Sequence, residues 1–157
     1  MRFPSSPAAL ARIVDNIEAR VVGDSADARE ALMYAASDAG SAIAVSRTTA
    51  AHALSYHLTA RYGVPHGHAV ALTLGRIIAF NGGVDDHTVS LGLRDPLDAP
   101  KRLHDLVASL GLKPRVDEAA DAVVDRRRWI AEVNEQRLDN NPRRINRDDL
   151  SAIVGAV

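Results

Sequence analysis

The sequence predicts an all-α fold, a bundle of six or seven helices. Apolar residues recur at helical spacing along most of the 157 residues, and no period-two stretch is long enough for a strand. Aromatic residues make up only 4% of the chain, so the core falls to Ala, Leu, Ile and Val, which suit closely packed helices. The length supports one domain, residues 1–157, with a core of its own.

Ser6 followed by Pro7 reads as a helix start, since Ser caps free amides and Pro fits the first turn. Leu10, Ile13, Val14, Ile17 and Val21 then form one apolar stripe. A second helix starts near Ser25 or Asp27, and its many alanines predict close packing. The third begins at Thr48 or Thr49 and closes at Gly63, a residue free to take the left-handed conformation. The fourth follows Pro65 and stops at Asn81-Gly82-Gly83, making a helical hairpin with the third. Residues 82–100 read as loop or short irregular structure. A fifth helix opens at Asp98-Ala99-Pro100 and ends at Gly111. A sixth is expected from residue 117 to about 134, and a short seventh from Asn146 or Asp148 towards Val154.

A formal net charge of −1 supplies no long-range field for phosphate backbones or acidic lipids, so neither nucleic acid nor a membrane surface is expected as partner. The chain has no cysteine, which leaves nitrogen and oxygen as the available metal donors. The start lacks the apolar stretch of a signal peptide, and no later run reaches membrane-spanning length. A cytoplasmic protein is the expectation.

Chemistry concentrates around the hairpin. His52 and Tyr56 are four residues apart and share a face of the third helix, while His66 opens the fourth, where the chain turns back. The two histidines therefore come from different elements and can converge on one ion. The residues alone leave two readings open: a metal-contacting pair, or ordinary partly buried histidines bonded to neighbours. A catalytic metal centre needs about three protein ligands, and no third is evident. His68 reads as pocket-lining, His57 as facing elsewhere, His87 and His104 as loop and surface residues, and Asp85 and Asp86 as solvated loop. Gly82-Gly83 follows a helix instead of joining a strand to one, and no Walker or G-x-S-x-G motif occurs. A self-contained dehydrogenase or hydrolase is not expected.

His52-Ala53-Leu54-Ser55-Tyr56, the fourteen-residue step to Pro65-His66-Gly67-His68-Ala69-Val70-Ala71-Leu72, and Phe80-Asn81 resemble the C-terminal helical domain of the iron-containing (group III) alcohol dehydrogenases. Ser46-Arg47-Thr48-Thr49 and Gly67-His68 are most similar to the branch that includes phosphonoacetaldehyde reductases. The stretches Asn134 to Leu138, Asn140-Asn141-Pro142-Arg143 and Asp148-Asp149-Leu150 resemble the family's C-terminus.

The resemblance implies the dehydroquinate synthase-like fold and a divalent metal, Fe or Zn, held by an Asp and three His. In the family that ion polarises an alcohol or aldehyde oxygen for hydride exchange with NAD(P). His52 and His66 align with two ligands, and Tyr56 and His68 with substrate-lining positions. The Asp and third His have no counterpart: Ala8 and Arg12 stand at those positions in the nearest match, too close to His52 in sequence. The family's N-terminal nucleotide-binding domain is not represented either. The resemblance thus implies weak metal binding, no NAD(P) unless that domain is supplied, and a separately encoded nucleotide-binding half or a second copy as partner. The alternative is a non-catalytic helical remnant serving as a binding or oligomerisation module.

Overall fold

A computed structural model describes residues 6–83 and 86–157, the side chains of Ser6, Asp86 and His87 apart. Asp85 and the side chains of Asp86 and His87 therefore lie outside the described residues. The described residues contain no strand. Their helices are α1 Ser6–Val21, α2 Ala26–Ser46, α3 Ala50–Tyr62, α4 His66–Asn81, α5 Asp86–Ser90, α6 Ala99–Ser109, α7 Val116–Ala120, α8 Arg126–Glu132 and α9 Arg147–Gly155. Single 3-10 turns form at Pro96–Asp98 and Glu135–Arg137.

Local chemistry sets the boundaries. The Ser25 hydroxyl accepts from the Ala28 amide at 3.2 Å and starts α2. Gly63, at φ 67°, supplies the left-handed residue that closes α3. At α9, Asn146 and Asp149 exchange side-chain and backbone hydrogen bonds in a capping box. Helices α4 and α6 pack where Gly75 has no side chain: a Cβ there would lie 2.8 Å from the Ala99 carbonyl oxygen and from Pro100 Cα.

The continuous helix expected over residues 117–134 is two helices, α7 and α8. Asp121 takes φ 51° and ends α7, and the Asp125 carboxylate caps α8 by accepting from the Arg128 amide. Asp117 folds back between them, accepting from the Val124 amide at 2.9 Å and from Arg126 Nη1 at 3.0 Å. In one helix, positions 117 and 124 would stand about 10 Å apart along the axis, beyond the reach of that bond. The 82–100 segment likewise carries the short α5 and a 3-10 turn.

The chain forms two compact units. In the first, α1 packs on α2 and α5, with Ala9, Ala28 and Ala35 buried and Arg12 Nη1 3.0 Å from Asp38. The second begins at Thr48, leaves out Gly83–Pro96 and holds α3, α4 and α6 to α9. Its core is built on Leu54, Leu58, Val64, Ile77, Val116 and Val154 around Trp129, whose indole N–H donates to the Leu54 carbonyl at 2.9 Å. This core fixes the α3–α4 hairpin that carries the histidines.

Candidate functional site

Three ring-bearing side chains meet where α3 and α4 face each other. The His52 and His66 rings lie edge to face with centroids 5.2 Å apart, and the Tyr56 ring lies 5.6 Å from His66. His52 and Tyr56 are one turn apart on α3, and His66 is the first residue of α4, reached through Gly63, Val64 and Pro65. Buried Val64 pins that connection to the core, so the facing of the two rings follows from the fold of the hairpin.

Ser55, fully buried between the histidines, orders the pair. Its hydroxyl donates to the His52 carbonyl at 2.8 Å, and its oxygen lies 3.3 Å from His66 Nδ1. A hydroxyl has one proton to give and a carbonyl only accepts. The proton between Ser55 and His66 therefore sits on His66 Nδ1, which leaves Nε2 with its lone pair. His52 is held neutral by a different route: burial, then the neighbouring His66 and Arg137 charges, lower its pKa below the usual histidine value. Both imidazoles thus favour the neutral form, the form that ligates metals.

Tyr56 is exposed and bound by Arg137. The guanidinium lies 4.5 Å above the phenol ring, and Nη1 donates to the hydroxyl at 2.9 Å. His68 turns towards Lys113, donating through Nε2 to that carbonyl at 2.8 Å. His57 points the other way on α3. It stacks on Trp129, and its Nδ1 donates to Glu132 at 2.8 Å. Arg61 and Arg128 bind the same carboxylate, and these three hydrogen bonds, Arg61's the largest influence, bring the Glu132 pKa down to about 2. His104 is exposed beside Asp105.

The chemistry of the donor set suits part of a metal centre. Two imidazoles sharing one tetrahedral ion through nitrogens at about 2.0–2.1 Å stand roughly 5 Å apart, close to the separation of His52 and His66. Among the described residues, no group of three or more His, Cys, Asp or Glu side chains can hold a metal ion. The pair therefore fits a metal as two ligands of a larger set.

Ser55 and Arg137 are the site residues that sequence reasoning passed over. Ser55 carries a local signal, a hydroxyl inside an apolar helical run three residues after His52. Arg137 reaches Tyr56 across 81 residues of sequence, and nothing nearby in the chain announces the contact.

Residues 6–157 match the model of the Fe-containing alcohol dehydrogenase family, C-terminal. The chain is 37% identical to a phosphonoacetaldehyde reductase of Streptomyces viridochromogenes, over an alignment covering 83% of this chain and 36% of that protein. Its fold is similar to the crystal structure of an iron-containing alcohol dehydrogenase from Corynebacterium glutamicum, with a TM-score of 0.76 at 21% identity, covering 96% of this chain and 43% of that one. The chain belongs to the Fe-containing alcohol dehydrogenase family, as its C-terminal domain. It spans little more than a third of the length of the curated relative. Within the described residues, no helix is long and apolar enough to cross a membrane.

Proposed function

We propose that this chain is the metal-contacting part of an NAD(P)-dependent oxidoreductase that interconverts an aldehyde and an alcohol. His52 and His66 are two nitrogen ligands of a divalent Fe or Zn. The remaining ligands and the nucleotide cradle come from the part of the family architecture that the chain does not span. The observation that carries this reading is the converging His52–His66 pair with its Ser55 hydrogen bond.

A metal bound there would supply Lewis acidity towards the substrate oxygen. The chain's own residues prepare the place. Burial keeps the His52 lone pair available, Ser55 fixes the His66 ring with Nε2 free, and Tyr56 forms the exposed wall beside both. Hydride transfer needs the nicotinamide held against the reacting carbon, a positioning task for the nucleotide domain. The 157-residue chain alone is accordingly expected to be inactive.

Complementation tests the reading. Supplying the N-terminal part of the Streptomyces relative in trans is expected to produce NAD(P)-dependent aldehyde reduction that His52→Ala removes. Turnover that survives His52→Ala, or robust turnover by the chain alone, would overturn it.

A further inference from the structure

Arg137 has no task in the metal reading, yet it is placed with care. It ends the 3-10 turn Glu135–Arg137, which Asn134 caps by accepting from the Gln136 amide at 3.0 Å and which buried Leu138 anchors in the core. The side chain itself is exposed. Its partners among the described residues are uncharged, the hydroxyl and the ring face of Tyr56. Guanidinium groups ordinarily take carboxylates as bidentate partners, and Glu135 of the same turn is engaged by Arg147 at 3.4 Å.

Charge sharpens the point. A cation beside two imidazoles opposes any further positive charge there, as the lowered pKa of His52 shows. In a site built to hold a metal cation, that repulsion is offset only if an anion joins the assembly. The donors for one are present. A guanidinium carries five N–H groups, of which one is donated to Tyr56. The Tyr56 oxygen accepts that bond, so its own proton is directed outward. Guanidinium N–H and phenol O–H together make a donor-only surface within one ring contact of His66.

We infer that Arg137 and Tyr56 anchor an anionic head group on the substrate, a phosphonate, with the aldehyde end facing His52 and His66. The inference rests on the metal reading above and adds the substrate class to it. An acceptor-only tetrahedral head group matches the donor-only surface, and the name of the Streptomyces relative carries the same group. Arg137 is on this account a binding residue for the substrate's charged end, and an uncharged aldehyde gains nothing from it.

The test is a titration of the 157-residue chain with methylphosphonate, followed by the side-chain NMR signals of Arg137 and Tyr56. Saturable shifts of both are expected, weakened at least tenfold in R137K and absent in R137Q, whose other amide signals report an intact fold. Acetate is expected to bind less tightly than methylphosphonate. Shifts that persist in R137Q, no shift at either residue, or equal affinity for acetate would overturn the phosphonate anchor. Zinc added to the same sample reads out His52 and His66 separately, so failure of the metal reading and failure of the anchor give different signals.

Discussion

Replacing Ser55 with Ala separates the ordering of the histidine pair from the stability of the fold. The hydroxyl is fully buried, donates to the His52 carbonyl and receives the His66 Nδ1 proton. Losing its net hydrogen bonding costs about 1 kcal/mol. The better helix propensity of Ala returns about 0.5 kcal/mol in the middle of α3, so unfolding in urea should shift by only about 0.5 kcal/mol. Metal binding should suffer far more. Without an acceptor at Nδ1, His66 loses the bond that fixes its tautomer and ring angle. Removing the group that orients a metal-bound histidine typically weakens the metal about 10- to 100-fold, or about 1.4–2.7 kcal/mol. Nitrogen NMR of the histidine rings during a zinc titration measures both effects at once. Zinc affinity within twofold of the parent chain, with His66 still protonated on Nδ1, would refute the role given to Ser55.

Two further outcomes follow from the packing and the charges. Gly75→Ala should destabilise the chain by about 1–2 kcal/mol in thermal or urea unfolding. The Ala99 and Pro100 backbone stands 2.8 Å from the new methyl, and overpacking of about 1–3 kcal/mol outweighs the helix-propensity gain of about 1 kcal/mol. Glu132, at about 2 in the folded chain and about 4.3 when unfolded, binds fewer protons folded than unfolded. Its stabilisation is complete above about 4.3 and is lost as the pH falls towards 2, so Glu132→Gln should flatten that acid limb of the stability curve; an unchanged limb would contradict it. Asp117, lowered mainly by its bond to Arg126, adds a slope of its own in the same direction.

Much of the fold was legible because its signals are local. Ser25, Gly63 and the Asn146–Asp149 pair each mark a helix end through bonds within a few residues of sequence. The facing of His52 and His66 was legible for the same reason, since a helix, a Gly-Val-Pro connection and a helix leave the two rings little choice. The break between α7 and α8 was not, because it depends on Asp117 turning back on Val124 and Arg126, a competition that hydrophobic spacing does not register. The direction of His68 was also hidden, being set by a carbonyl 45 residues away. His57 and Glu132, 75 residues apart, and Arg137 and Tyr56, 81 apart, meet only through tertiary packing.

The central claim is that His52 and His66 act together as two ligands of one metal. Zinc titration of the parent chain, His52→Ala and His66→Ala, followed by histidine-ring NMR, tests it most directly. Two imidazoles without the rest of the set should bind weakly, with signals of both rings moving together, and either substitution should abolish the binding. Tight stoichiometric zinc that neither substitution disturbs would contradict the claim.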